Sequence, residues 1–254
     1  MGYNSFMTSG NGPIPGEQKT LMDPKKGAAR KYRDLFVGPG GFPFFLKYEI
    51  ITTLFTSIPG ALGFALRKFF FRRLFASVGR GVVFGRNMTL RHPRKIKIGN
   101  GVVFDDNTVL DAKGIDNTGI RIGDHVMVGR NTIISCKGGD IEIGDFANIG
   151  SNNTLLSESV LNIGKFVFTA GQTYMVAGGN HSFDRKDIPI WHQPSVSKGG
   201  IVIEDDVWIG ASVTVVDGVK IRTGCVIGAG SVVHRNLPPY TVALGNPLAI
   251  VKKR

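Results

Sequence analysis

An aliphatic residue recurs every six positions along most of the chain, and no other feature restricts the fold as much. The longest uninterrupted run is Ile203, Ile209, Val215, Ile221, Ile227 and Val233. The same step recurs upstream in groups of three: Ile163, Thr169, Met175; Ile143, Ile149, Leu155; Ile122, Val128, Ile134; Ile98, Phe104, Leu110; and Val78, Phe84, Leu90. Extra residues fall only between groups, numbering two, six, three, two, twenty-two and none in chain order. A solenoid whose coil is a triangle of three six-residue sides permits this, because every insertion then leaves from the same corner. A sandwich of alternating strands would show a period of two.

Of the 21 register positions 20 are apolar, with Thr169 the exception, and ten are followed directly by one of the chain's 35 glycines. The residue four places on supplies a second inward side chain, as at Val207, Val213, Val219 and Cys225. The expected fold is therefore mainly β: a parallel β-helix of about seven coils over residues 78–254, with one loop inserted at 178–200. At about 4.8 Å per coil it rises roughly 33 Å.

The formal charge of +12 is unevenly placed. Residues 1–100 carry 17 Lys and Arg against 4 Asp and Glu, so the remaining 154 residues balance near neutrality. A basic arm on a neutral body does not fit nucleic acid tracking; it fits an anionic surface met at one end. Residues 1–30 read as a disordered tail without an apolar signal-peptide core, and Phe6 stands where a myristoylation motif needs Ser or Thr. Residues 31–77 read as a basic, amphipathic helical extension. Its uncharged stretch at 50–66 is too short for a confident span and is broken at Pro59-Gly60, which predicts two helices. Arg67, Lys68, Arg72 and Arg73 follow at its edge. Two readings stay open for residues 43–77: contact with an anionic membrane surface, or packing on the β-helix or within an oligomer.

The two cysteines, Cys136 and Cys225, lack disulfide or zinc spacing, so no metal is expected and a reducing, cytoplasmic setting fits, including a peripheral place on the inner membrane face. The long insertion is where function is expected, since a regular solenoid has no structural need of it. It holds His181 and His192.

Within that insertion His181, Pro189-Ile190 and Gln193 occur in order, followed downstream by VWIG at 207–210, IGAGSVV at 227–233, LPPY at 237–240 and GNP at 245–247. On these residues, over about 80–254, the chain resembles the hexapeptide-repeat acyltransferases, in particular sugar O-acetyltransferases of the maltose/galactoside type and polysaccharide O-acetyltransferases. The resemblance implies a left-handed helix, a homotrimer, and an active site between neighbouring subunits with acetyl-CoA or another acyl-CoA along the groove. It implies His181 as the catalytic base and Asn152 as a polar residue facing the acyl or acceptor group. Ala211 and Ala229 fall where backbone amides meet the pantetheine arm, and His234, Arg235 and Lys252 where the nucleotide end is held. The last two also read as ordinary solvated charges. Trp208, outward by its place in the hexad, is expected at the substrate, either as a wall of the groove or as the floor under the insertion. Asp217 replaces a common Pro, a change bearing on a corner more than on chemistry, and Ala249 replaces a basic residue, so one nucleotide contact is lost or moved.

The implied reaction is transfer of an acyl group, most simply acetyl, to a hydroxyl of a saccharide or lipid-linked exopolysaccharide precursor. A neutral imidazole, titrating ordinarily near 6.5, suits removal of the hydroxyl proton. Two other classes are compatible with a β-helix: a catalytically silent scaffold, and a γ-type carbonic anhydrase. The latter needs three converging histidines, and no closely spaced pair of the required kind occurs.

Overall fold

The computed structural model describes residues 20–254. In it the six-residue register becomes three vertical columns. Val78, Ile98, Ile122, Ile143, Ile163, Ile203 and Ile221 pair in one parallel sheet. The Phe84 to Ile227 series forms the second sheet and the Leu90 to Val233 series the third. Of the 21 register side chains 20 are buried, and Val78, on the first coil, is half-buried. Val207, Val213, Val219 and Cys225 are buried too, so each side of the triangle contributes two inward residues.

The coil count differs from the expected seven by a shortened eighth. Leu237 bridges to Ile221, and Ala243 pairs with Ile227, in strand Thr241–Leu244. These two keep a six-residue step with each other, but Leu237 follows Val233 by only four, which hides the coil from a strict six-step search. Strand Ala249–Lys253 then folds back antiparallel on Thr241–Leu244 and covers that edge of the second sheet.

The corners need a backbone turn in the left-handed region. Between the second and third sheets Asn107, Asn131 and Asn152 adopt it, with φ of 61°, 58° and 58°. Asparagine tolerates this region because its short polar side chain bonds locally. Here the amides form a ladder, Asn107 donating to Asn131 and Asn131 to Asn152, at 3.0 Å each.

The tail expected over residues 1–30 lies, up to residue 19, outside the described residues. Helix α1 (Ala28–Tyr32) begins three residues before the extension's expected start, with extended Gly27 as its N-cap, and runs into a π-helical turn, Arg33–Val37. Helices α2 (Gly41–Phe55) and α3 (Gly60–Phe70) follow, divided at Pro59-Gly60. Phe71 and Phe75 pack on Phe84, which stacks on Phe104, so the extension closes the bottom of the prism. Arg67 corrects the reading of the basic edge. It is fully buried, and its guanidinium donates to the carbonyls of Phe84 at 2.9 Å and Ile58 at 2.7 Å. It also reaches the carbonyl of Phe55, the last residue of α2, at 3.4 Å, so one charged donor satisfies carbonyls from the helix end, the linker and the first coil.

One face of α2, carrying Phe44, Tyr48 and Ile51, is buried, but Phe42, Leu46, Ile50 and Leu54 lie exposed along the other at steps of four. Among the described residues no helix is long and apolar enough to cross a membrane.

Candidate active site

The insertion is an anchored arm. Asn180–His181 pairs antiparallel with Ser195–Val196, so the outgoing and returning strands form a short ribbon. Between them Gln193, buried, donates from Nε2 to the Arg185 carbonyl at 2.8 Å and accepts from the Arg185 N–H at 3.3 Å. An Arg185–Asp187 ion pair closes the tip. The Gln of the His, Pro-Ile, Gln order is thus a brace for the loop.

His181 stands exposed on this ribbon, and its ring has no hydrogen-bond partner among the described residues. The arm also exposes Phe183, Ile190 and Trp191, three large apolar side chains that its own body does not cover. A depression of about 460 Å³ on the outer face of the first sheet, bordered by Lys97, Arg121 and Lys165, contains none of the sequence-predicted site residues.

Those residues separate into three places. Asn152, Ala211 and Ala229 share one edge, the corner between the second and third sheets, Ala211 accepting from the Gly230 N–H at 2.8 Å. Neither alanine's N–H finds an acceptor among the described residues, and both residues, one coil apart, are exposed. Asn152 contributes its Oδ1 to the ladder, a structural task that sequence reasoning missed.

Trp208 lies on the outer face of the second sheet beside this edge, in register between Phe168 and Val226 on the neighbouring strands and 54% exposed. The chain's own insertion therefore leaves much of Trp208 uncovered. Lys252 pairs with Val242, which pairs with Val226, and so extends the Trp208 column upward. His234 and Arg235 stand apart, beyond strand Val232–Val233 at the opposite end of the third sheet. Arg235 donates to the Leu248 carbonyl at 2.8 Å and His234 contacts the Val232 carbonyl at 3.2 Å, so both are partly occupied by local backbone.

His125 stacks on Phe146, 5.1 Å between centroids, and His92 is buried against the extension, so neither joins the arm. Among the described residues no three His, Cys, Asp or Glu side chains gather as metal ligands would. Both cysteines are buried and unpaired, and burial pushes the Cys136 thiol up to about 12.

Asp217 is the functional candidate that sequence reasoning passed over. Its carboxylate is buried and accepts from the Asn180 side chain and from the Lys198 and Gly200 N–H groups.

A stack of six-residue sides interrupted by one arm is the architecture of the hexapeptide-repeat transferases. Residues 200–235 match the bacterial transferase hexapeptide (six repeats) family. A probable macrolide acetyltransferase of Lysinibacillus sphaericus is 34% identical over 123 residues, 43% of this chain and 68% of that protein. A probable acetyltransferase of Mycobacterium tuberculosis is 33% identical over 135 residues, 53% of this chain, and the match spans only 44% of that relative's length. Among solved structures, the polySia-specific acetyltransferase NeuO superposes with a TM-score of 0.55 at 25% identity, over 70% of this chain and 79% of that one. The chain belongs to the hexapeptide-repeat acetyltransferase family.

Proposed function

We propose that the protein is an acyl-CoA-dependent O-acyltransferase acting on a saccharide hydroxyl, with His181 as general base in a site completed between subunits. The observation that carries this reading is the separation of the free imidazole from the Asn152–Ala211–Ala229 edge of its own chain. His181 leaves from the corner between the third and first sheets, whereas that edge is the next corner round. A neighbouring copy's arm laid along the edge brings the two halves together.

The outer faces support self-association as a trimer. The second sheet exposes Met127, Phe168 and Trp208 and the third Ile133 and Tyr174, while the first carries Lys97, Arg121 and Glu142 in the same outward positions. Apolar columns on two of three faces, with apolar residues on the arm, are the pattern of surfaces covered by copies.

The groove residues fit a CoA thioester. Free amides at Ala211 and Ala229 suit the pantetheine carbonyls, Trp208 offers an apolar wall, and Lys252 a cation for a phosphate. In the reaction His181 takes the acceptor's proton as its oxygen bonds to the acyl carbon. The carbon–sulfur bond breaks, and the proton passes from the imidazolium to the departing thiolate. Nothing covalent forms on the protein. The saccharide acceptor is supported by the likeness to NeuO, a polySia-specific enzyme.

The second part of the reading concerns the extension. An apolar helix face of Phe42, Leu46, Ile50 and Leu54, with Lys47, Lys68, Arg72 and Arg73 exposed nearby, suits an anionic membrane surface and a lipid-linked acceptor presented there. Mass spectrometry of products from acyl-CoA mixtures offered with a panel of free and lipid-linked saccharides tests the acceptor class. Acylated saccharide supports the reading, and CoA release without any acylated sugar contradicts it.

A further inference from the structure

We propose that Asp217 is a positioning residue for His181, acting through Asn180; the inference rests on the reading of His181 as the base. Asp217 lies in the turn between strands Thr214–Val215 and Lys220–Ile221, one coil above the point where the arm leaves strand Tyr174–Ala177. The residue is 5% exposed. One oxygen accepts from Asn180 Nδ2 at 2.9 Å and from the Lys198 N–H, and the other accepts from the Gly200 N–H at 2.8 Å. A single buried anion therefore holds the outgoing strand at residue 180 and the returning strand at 198 and 200. Gly218, the next residue, adds a backbone bond from its N–H to the Gly200 carbonyl at 2.7 Å.

The consequence for His181 follows from strand geometry. Neighbouring side chains in an extended strand face opposite sides. Asn180 is turned toward the body by Asp217, so the imidazole of His181 is turned away from it, toward the surface where a second copy would lie. The ring itself has no hydrogen-bond partner among the described residues, and its other restraints are backbone ones: the pairing with Ser195 and the Ser182 N–H to Pro194 carbonyl bond at 3.0 Å. Of the side chains beside the imidazole, Asn180 is the one bonded to the body, and a charge-assisted acceptor makes that bond a strong one. A proline at 217 would present no acceptor, so the substitution that reads as a corner change in the sequence ties the arm down in the structure.

The test uses the full chain with acetyl-CoA and a saccharide acceptor identified by the product screen, and compares Asn180→Ala, Asp217→Ala, His181→Ala and the Asn180→Ala/His181→Ala double variant. The inference expects Asn180→Ala and Asp217→Ala to lower kcat at least tenfold with KM for acetyl-CoA within twofold of wild type, at unchanged oligomer size. It also expects the double variant to be no slower than His181→Ala alone, because Asn180 acts only through the ring. If Asp217→Ala does not fold, Asn180→Ala, which removes one neutral donor, carries the measurement. Wild-type kcat in Asn180→Ala beside an inactive His181→Ala overturns the positioning role and leaves the base in place. Wild-type activity in His181→Ala overturns both.

Discussion

Asn153 donates from its side-chain amide to the hydroxyl of Thr169, at 2.9 Å, inside the prism. Thr169 is the one polar residue in the six-step register, and Asn153, also buried, accepts the Thr173 N–H at 2.7 Å with its other terminal atom. Replacing Thr169 with Val restores the aliphatic pattern but strands a buried amide, so Thr169→Val is expected to cost about 1–3 kcal/mol despite being nearly isosteric. Urea unfolding reads this as a lower midpoint, and Asn153→Ala added to it should cost less than the sum of the two singles.

Arg67 makes a second prediction about buried polarity. Arg67→Leu removes the donor for the Phe84 and Ile58 carbonyls and is expected to destabilise by about 3 kcal/mol. Arg72→Ala, on an exposed side chain, should stay within about 0.5 kcal/mol. Equal midpoints for the two variants in denaturant would contradict the role given to Arg67.

The hold of the extension on the body should depend on pH through His92. Its backbone N–H donates to the Phe36 carbonyl, its ring contacts the Asp34 carbonyl at 3.0 Å, and Asp111 lies 4.0 Å from Nδ1. Burial holds the imidazole below its ordinary range; the Asp34 carbonyl and Asp111 oppose that shift, and Lys95 and Lys113 add to it. The unfolded chain therefore takes up a proton, near pH 6.5, that the folded site resists. Stability is full above about that pH and falls as pH drops below it. Thermal melts between pH 5 and 8 should show this slope, and His92→Asn, whose side chain tolerates the left-handed φ of 51°, should flatten it.

Most of the body was legible because a solenoid repeats one physical requirement. Each of the 21 residues chosen by spacing pairs with the expected partner above or below it. What escaped has common causes. The eighth coil escaped because Leu237 comes two residues early, and Arg67 because a guanidinium reads as surface until its carbonyl acceptors are known. Asp217 escaped because its donors, at 180, 198 and 200, meet it only after the arm has folded back. The arm itself was visible as twenty-two extra residues, and His181 as the histidine at its start. That Asn152, Ala211 and Ala229 share an edge also follows from the repeat, since all three fall at the same corner of different coils.

The exposed face of α2 gives a test of the membrane reading. Leu46→Glu with Ile50→Glu places two charges on a surface left exposed among the described residues, so folding should be unaffected. Co-sedimentation with phosphatidylglycerol vesicles is expected to fall at least tenfold relative to wild type, and wild-type binding by this variant would contradict the reading.

The central claim is that the arm's imidazole removes the acceptor's proton. The most direct measurement is the steady-state rate of acceptor-dependent CoA thiol release by wild type and His181→Ala, with circular dichroism and sedimentation to confirm that fold and assembly are intact. A fall of about 10² to 10⁴ in kcat, with KM for acetyl-CoA little changed, is the predicted result. An intact His181→Ala protein that turns over at the wild-type rate would contradict it.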